Sequence, residues 1–315
     1  MITFDQLEGF KMRTKYSIFH PWPLIFWKII LYLANELPIS YKRKLSVKYK
    51  VFHEKFPLFA RNNFKIGKST TNNFDVYNIG PFKICIKTDV KDFPLNNLEM
   101  NIACEFMNII YPTFNPLYFK RVLGEGPYEM NDVFLERGDY VVDAGANLGI
   151  FTFLASQKVG DSGHIFAFEP VKFFITCLEE SMKINLSENI SLLELALGNE
   201  DENITFFISK EDPSVCGKFE TSASDTSSTV EQVKLDTLVF EKKMIEKVNF
   251  LKMDIEGSER EALAGAKETI FMFSPKLAIC TYHLKDDPIV LSNIIRSINP
   301  KYKIHFGRKK LYARV

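Results

Sequence analysis

An acidic residue and a glycine-rich turn follow a short apolar strand expected at residues 140–142. Asp143, Gly145 and Gly149 lie in this turn, which reads D-A-G-A-N-L-G. Glycines let a backbone approach a ligand closely, and ligands of open α/β sheets bind beyond the carboxyl ends of the strands. The next apolar strand ends in F-E-P, where the Glu169 carboxylate can accept hydrogen bonds from ribose hydroxyls. The two segments therefore predict a crevice that binds a nucleoside-bearing ligand.

The spacing of the glycines favours S-adenosylmethionine over a nicotinamide dinucleotide. Gly145 and Gly149 form G-x-x-x-G and lack the G-x-G-x-x-G spacing that suits a pyrophosphate. The carboxylate of Asp143 suits the cationic amino end of S-adenosylmethionine and would oppose a pyrophosphate. Asn147 either contacts the cofactor or tolerates a left-handed turn conformation. Ala196, after the third strand of the pattern, lies where an adenine would pack.

A second acidic motif follows the strand expected at residues 248–253. A carboxylate at such a position can act as a general base and take a proton from a weakly acidic group such as a hydroxyl. Either Asp254 or Glu256 could take this proton, or both could hold a divalent cation that acidifies the hydroxyl. His283 ends the next strand, would face the same crevice and is a third candidate base near neutral pH. Ser258 begins an S-x-x-E capping box, so the motif also predicts the start of a helix.

Alternating strands and helices after residue 139 predict the frame that positions these motifs. Such a pattern indicates a doubly wound, mostly parallel sheet with helices on both faces. The expected strands are 140–142, 164–168, 190–197, 248–253 and 277–281, and the expected helices are 148–158, 171–187 and 258–272. A C-terminal hairpin of 302–306 and 310–314 would add an antiparallel edge strand to this sheet. Upstream, alternating residues at 74–79 and 82–87 predict another β-hairpin, and residues 99–123 are expected to be helical.

Two further segments leave alternatives open. The polar stretch 209–228 is either a loop between two hairpin strands or a substrate lid. Residues 18–34 are apolar but contain two prolines and a lysine, which argues against a transmembrane span. This stretch is either a buried helix or a helix lying on a membrane surface. The ten basic and four acidic side chains of residues 1–60 would favour peripheral membrane contact through residues 18–50.

Overall composition excludes several classes of protein. Forty Lys and Arg residues balance 39 Asp and Glu residues, so the basic excess typical of nucleic-acid binders is missing. The five cysteines are an odd number and include no C-x-x-C pair. This usage argues against a disulfide framework and a zinc cluster, and it is typical of a reducing cytoplasm.

Three motifs together resemble the FkbM family of methyltransferases. They are V-V-D-A-G-A-N-L-G at 141–149, F-E-P at 168–170 and K-M-D-I-E-G-S-E at 252–259. The segment E-G-P-Y-E at 125–129 is also similar to what precedes the first motif in that family, and suggests that Tyr128 and Glu129 reach the cofactor. The resemblance covers about residues 122–283. It implies a class I methyltransferase fold, S-adenosylmethionine as the donor and O-methylation, often of sugar hydroxyls.

We therefore expect an N-terminal helical and β-hairpin extension (1–121) and a methyltransferase domain (122–315). The acceptor would be a sugar hydroxyl of a glycan or glycolipid. A non-catalytic glycan-binding or scaffold protein on the same fold is the main alternative, and a nicotinamide-dependent oxidoreductase is the lesser one. The residues expected at the cofactor are Asp143, Gly145, Ala146, Asn147, Gly149, Glu169 and Ala196. Catalysis is expected from Asp254, Glu256 and His283; no metal ligand is assigned, although a cation held by the two carboxylates stays an alternative.

Overall fold

The computed structural model describes residues 67–71, 73–79, 82–88, 127–208, 216–218, 226–307 and 309–315. The predictions for residues 1–60 and 99–123, including membrane contact through 18–50, lie outside these residues. Most of the polar stretch 209–228 lies outside them as well. Within the described ranges, no helix combines the length and the apolar character needed to cross a membrane.

Strands and helices alternate along the described chain as the hydrophobic pattern predicts. The strands are β1 (Gly67–Thr71), β2 (Phe74–Ile79), β3 (Phe82–Lys87), β4 (Tyr140–Ala144), β5 (His164–Phe168), β6 (Ile190–Leu193), β7 (Ala196–Leu197), β8 (Glu202–Ile208), β9 (Cys216–Gly217), β10 (Thr226–Val233), β11 (Phe250–Met253), β12 (Lys276–Cys280), β13 (Lys303–Phe306) and β14 (Lys310–Arg314). The α-helices are α1 (Ile150–Val159), α2 (Lys172–Asn185), α3 (Glu259–Ala264), α4 (Lys267–Phe273) and α5 (Asp287–Ile298), and a π-helical turn spans Thr237–Glu241.

Seven strands form the central sheet in the order β13-β14-β12-β11-β4-β5-β6. The five strands from β12 to β6 are parallel, and β14 is antiparallel to both of its neighbours. This is the doubly wound sheet of a class I methyltransferase, with the C-terminal hairpin at its edge as expected. The chain runs outward from β4 to β6 and then returns to β11, so the strand order reverses between β4 and β11. Ligands of such sheets bind beyond the carboxyl ends of the strands at this reversal.

The parallel strands are short apolar runs because both of their faces are covered. All four residues of β11 are buried, and so are the last four of β4, β5 and β12. Their side chains divide between two hydrophobic clusters. One cluster contains Val141 and Phe151, and the other contains Val142 and Leu251. Residues on opposite faces of one strand thus pack against different layers of helices and hold the strand ends in fixed register.

The single strand predicted at 190–197 is wrong, because β6 and β7 belong to different sheets. Glu194 interrupts the run and pairs at the surface with Lys172 at 2.7 Å. β7 then pairs with β10 in a second sheet of order β7-β10-β8-β9. β8 and β10 are the hairpin strands expected around the polar stretch 209–228.

The helix predicted at 258–272 is two helices rather than one. Gly265 lies between α3 and α4, where a Cβ atom would stand 1.9 Å from the carbonyl oxygen of Gly198. The carboxylate of Asp236 accepts hydrogen bonds from the backbone N–H groups of Glu268 and Thr269, at 2.9 and 2.8 Å. These donors lie in the first turn of α4, so a side chain distant in sequence caps a new helix start there.

The hairpin predicted at 74–79 and 82–87 is confirmed as β2 and β3, and β1 extends it to three strands. The edge of β3 that is not paired with β2 lies against α2. The backbone N–H of Cys85 donates to Ser181 Oγ at 2.8 Å, and that of Lys83 donates to Asn185 Oδ1 at 2.8 Å. Phe82 lies beside Phe153 of α1, with ring centroids 6.0 Å apart. The hairpin therefore shares its hydrophobic core with the central sheet.

Candidate active site

The glycine-rich turn after β4 is shaped first by the packing of the strand ends. Gly145 has a φ of +79°, and a Cβ atom there would stand 2.0 Å from the carbonyl oxygen of Asp254. Gly149 has a φ of +83°, and a Cβ atom would stand 2.4 Å from the Leu178 side chain. Both positions need glycine for the fold alone. The contact at Gly145 also brings the end of β4 against the end of β11, where the strand order reverses.

Asn147 adopts the left-handed conformation that was one of its two predicted roles. Its φ is +51°, and its side-chain Oδ1 accepts the backbone N–H of Leu148 at 2.8 Å. Its own backbone N–H donates to Glu169 Oε2 at 2.8 Å. The turn after β4 is thereby tied to the carboxylate at the end of β5.

Glu169 is a buried carboxylate held in place by backbone donors. Its Oε1 accepts the N–H of Val171 at 2.9 Å, and the side chain is largely enclosed. Burial outweighs these hydrogen bonds and raises the pKa of Glu169 to about 7. Each carboxylate oxygen has two lone pairs, so both can still accept a hydrogen bond from a ligand hydroxyl. Ala196, expected near an adenine, is buried at the start of β7.

The expected contact between Asp143 and the amino end of a cofactor is not available in this structure. Asp143 has 0% exposure, so no ligand can touch it without a rearrangement. Thr152 Oγ1 donates to its Oδ2 at 2.5 Å, and Lys252 Nζ lies 2.9 Å from its Oδ1. Lys252 also donates to the carbonyl oxygens of Ala144 and Gly145, at 3.2 and 2.6 Å. Asp143 thus positions Lys252, which stabilises the turn through its hydrogen bonds to these two carbonyl oxygens.

Glu129 is likewise internal rather than directed at a cofactor. It is 7% exposed, forms an ion pair with Lys158 and accepts the N–H of Leu135 at 2.8 Å. Tyr128 instead reaches the second acidic motif: its hydroxyl donates to Asp254 Oδ2 at 2.6 Å.

Asp254 lies at the carboxyl end of β11 within a set of polar side chains. Its Oδ1 is 3.2 Å from the Tyr282 hydroxyl and 3.6 Å from His283 Nε2. Burial alone would raise its pKa, but the charges of Lys252 and Lys310 and the Tyr128 hydrogen bond outweigh burial. The pKa of Asp254 is therefore below its ordinary value, and the carboxylate is ionised at neutral pH.

Glu256 joins Asp254 through a strained loop. Its φ of +52° is unusual for a residue with a side chain, and Gly257 follows with a φ of +99°. Its Oε2 lies 3.3 Å from His283 Nε2, and burial raises the pKa of Glu256 above its ordinary value. A Cβ atom on Gly217 of β9 would stand 3.3 Å from the Glu256 carbonyl oxygen, so one part of the polar stretch 209–228 lies against this loop.

His283 is enclosed, and carboxylates lie near both of its ring nitrogens. Its side chain is 8% exposed, and Nδ1 lies 3.0 Å from Glu259 Oε1. Burial would lower the pKa of His283, but Glu256 and Glu259 outweigh it and raise the pKa to about 10. An imidazole that is already protonated cannot accept a proton. The role predicted for His283, a base near neutral pH, is therefore wrong for this arrangement.

Glu259 is a residue of the motif whose role the sequence did not reveal. It is 1% exposed and accepts the backbone N–H groups of Ile255 and Gly257, at 3.0 and 3.1 Å. Ser258 stands at the N-cap of α3 without a side-chain capping bond, so the predicted capping box does not form. Lys252 and Glu259 were both visible as the ends of K-x-D-x-E-G-x-E, but their partners follow from the fold and not from the spacing.

Comparison with known proteins agrees with this architecture. Residues 143–295 match the family model for the methyltransferase FkbM domain. This segment is therefore similar to the FkbM methyltransferase domain. The match begins at Asp143 and includes Glu169 and Asp254.

Relatives of the FkbM domain are distant in sequence. "Methyltransferase 1" of Beauveria bassiana (strain ARSEF 2860) is 26% identical in an alignment of 149 positions that covers 40% of this chain and 57% of that protein. The solved FkbM methyltransferase of Methylobacillus flagellatus KT is 23% identical with a TM-score of 0.43, over 71% of this chain and 55% of that one. A solved S-adenosylmethionine-dependent methyltransferase of Aquifex aeolicus is 13% identical with a TM-score of 0.35, over 71% of this chain and 95% of that one. The chain thus spans little more than half the length of the first two relatives.

Proposed function

We propose that this chain is an S-adenosylmethionine-dependent O-methyltransferase whose acceptor is a sugar hydroxyl of a glycan or glycolipid. One observation carries the proposal. The turn after β4 and the acidic loop after β11 touch, since a Cβ atom on Gly145 would stand 2.0 Å from the Asp254 carbonyl oxygen. A donor bound at the turn and an acceptor bound at the loop would therefore be neighbours, as an in-line transfer requires.

The chemistry of the first half of the crevice fits S-adenosylmethionine. Glu169 is a buried acceptor with lone pairs to spare at the end of β5, which suits a ribose diol. The apolar Ala196 suits the edge of an adenine. When bound, this cofactor supplies an electrophilic methyl group. The chain's own contribution at this end is to bind and orient it.

The second half of the crevice suits a hydroxyl acceptor. The carboxylates of Asp254 and Glu256 can accept a hydrogen bond from the hydroxyl and then its proton. The Tyr128 and Tyr282 hydroxyls hold the Asp254 carboxylate in one orientation. Carboxylates and tyrosine hydroxyls are all hydrogen-bonding partners of sugar hydroxyls. The choice of a sugar rests on the family resemblance together with this polar lining.

Cofactor identity is tested by calorimetry on the purified full chain. S-adenosylhomocysteine is expected to bind with micromolar affinity, NADH is expected not to bind, and Glu169→Ala is expected to abolish binding. Glu194→Ala is the matched control, because Glu194 follows the neighbouring strand β6 but forms only an exposed pair with Lys172. Tight NADH binding, or no binding of either compound by the folded protein, would contradict the proposal.

Transfer itself is tested with radiolabelled S-adenosylmethionine and glycan and glycolipid fractions as acceptors. Incorporation of label is expected with the wild type. Asp254→Asn is expected to reduce it at least 100-fold while S-adenosylhomocysteine binding stays within about threefold, since a general base typically contributes 10²–10⁴ in rate. Binding of the cofactor product without any transfer would instead support the scaffold function.

Cofactor affinity is expected to depend on pH through Glu169. Because its pKa is about 7, the carboxylate is mostly neutral at pH 6 and mostly ionised at pH 8. Ribose hydroxyls donate to the ionised form, so the dissociation constant of S-adenosylhomocysteine should rise about tenfold from pH 8 to pH 6. Calorimetry across this range measures the slope, and Glu169→Gln should flatten it. An equal slope in wild type and variant would assign the effect to another group.

A further inference from the structure

We propose that Asp254, Glu256 and His283 form a binding site for a divalent cation of the Mg²⁺ and Mn²⁺ class. Binding of the ion is independent of the proposed function. Only its role, lowering the pKa of an acceptor hydroxyl, rests on that function.

The spacing of the three side chains fits coordination of one ion. One potential ligand atom from each lies within 4.8 Å of the others. His283 Nε2 is 3.3 Å from Glu256 Oε2 and 3.6 Å from Asp254 Oδ1. Neighbouring ligands of an octahedral ion at about 2.1 Å lie about 3.0 Å apart, so small side-chain movements would close the site.

His283 supplies an observation that the carboxylates alone would not. Its side chain is 92% buried, yet neither ring nitrogen makes a hydrogen bond of acceptable geometry. Carboxylate oxygens are near both nitrogens, but they are not aligned with the ring N–H directions. Buried polar atoms without hydrogen bonds destabilise a fold, because the hydration that they lose is not replaced. A cation on Nε2 would satisfy the nitrogen that faces Asp254 and Glu256.

Glu259 completes the arrangement from behind. Its Oε1 lies 3.0 Å from His283 Nδ1, on the opposite side of the ring from the proposed ion. Two backbone N–H groups fix this carboxylate, so a small rotation of the His283 ring would align Nδ1–H with it. A carboxylate behind a histidine is the usual outer partner of a metal-binding imidazole and keeps its other nitrogen unprotonated for the metal.

Two carboxylates and one imidazole define the class of ion. Carboxylates suit Mg²⁺, Ca²⁺ and Mn²⁺, whereas imidazole extends the preference toward transition metals. Mn²⁺ is both a transition metal and an ion that carboxylates bind well. It is also paramagnetic, so it is the best probe. Without an ion, the alternative is a protonated imidazole shared among the three carboxylates.

The test is a titration of the chelator-treated full chain with MnCl₂, followed by electron paramagnetic resonance of the unbound ion. One site is expected, displaced by excess MgCl₂. Asp254→Asn and His283→Gln should each weaken it at least tenfold, and Glu259→Gln by 10–100-fold. Glu261→Gln is the matched control, because Glu261 lies on the same helix but pairs with Lys218 at 2.5 Å and should leave the site unchanged.

Circular dichroism and thermal unfolding, measured in parallel, report that each variant is folded. A folded wild type that binds no Mn²⁺ at millimolar concentration would overturn the inference, as would Mn²⁺ binding that is equally strong in Asp254→Asn and His283→Gln. Methyl transfer that persists in a chelator would overturn the role alone. Mn²⁺ binding without methyl transfer would support the site and contradict the proposed function, so the two failures are distinguishable.

Discussion

Replacing Lys252 with methionine is expected to lower the free energy of unfolding by about 3–5 kcal/mol. Lys252 and Asp143 are 2% and 0% exposed, and their charged atoms lie 2.9 Å apart. The substitution leaves the Asp143 carboxylate buried without its counter-charge. It also removes the donor to the carbonyl oxygens of Ala144 and Gly145. Chemical denaturation of the purified protein measures the loss.

Two controls separate the buried charge from other effects. Lys172→Met removes a lysine from an exposed pair with Glu194, and its cost should stay within about 1 kcal/mol. Adding Asp143→Asn to Lys252→Met removes the uncompensated charge and should restore a large part of the lost stability, because Thr152 can still donate to the amide oxygen. If the single variant behaves like Lys172→Met, the pair does not stabilise the turn.

The second large effect is expected for Gly145→Ala. A methyl group at this position would overlap the Asp254 carbonyl oxygen, at 2.0 Å, in a residue whose φ is +79°. The left-handed conformation alone costs an alanine about 1–2 kcal/mol. The overlap adds to this cost, because the ends of β4 and β11 must separate. We therefore expect the free energy of unfolding to fall by more than this conformational cost alone, and S-adenosylhomocysteine to bind more weakly.

Gly138→Ala provides the matched comparison for that variant. Gly138 has a φ of +84°, but its nearest neighbour would be Ser162 Oγ at 3.5 Å, an ordinary contact. It should show the conformational cost of about 1–2 kcal/mol and no change in ligand binding. Denaturation and calorimetry measure the stability and the ligand affinity of both variants. If Gly145→Ala and Gly138→Ala lose equal amounts, the close contact between the ends of β4 and β11 does not limit the residue type at position 145.

The parallel strands could be predicted because a strand that is buried on both faces consists mainly of consecutive apolar residues. Helix α5 was missed although its signals are present: Pro288 lies in its first turn, and Leu291, Ile295 and Ile298 are spaced for one buried face. The division between β6 and β7 could not be predicted, because no glycine or proline marks it. It follows from the pairing of Ala196 with Gln232 of β10, 36 positions farther along the chain.

In the site, too, the residues that could be predicted are those whose position follows from local sequence, and the contacts that could not be predicted are made by residues distant in sequence. The carboxylates were identified because each stands at the end of a strand, a position that sequence order reveals. The partner of Asp143 was not identified, because Lys252 reaches it through the pairing of β4 with β11. The role predicted for His283, a base near neutral pH, was wrong for a similar reason, because its raised pKa follows from the fold. That pKa depends on Glu259, whose proximity results from the turn between β11 and α3.

The hairpin of β2 and β3 bears on where this protein can be cut. The motifs predict a domain boundary after residue 121, but a truncation there would remove the strands that cover α2. Truncation there would expose the aromatic surface of Phe153 and leave Ser181 and Asn185 without their hydrogen-bond donors from the hairpin. The family domain is thus smaller than the unit that folds, and a fragment intended for expression should retain the hairpin.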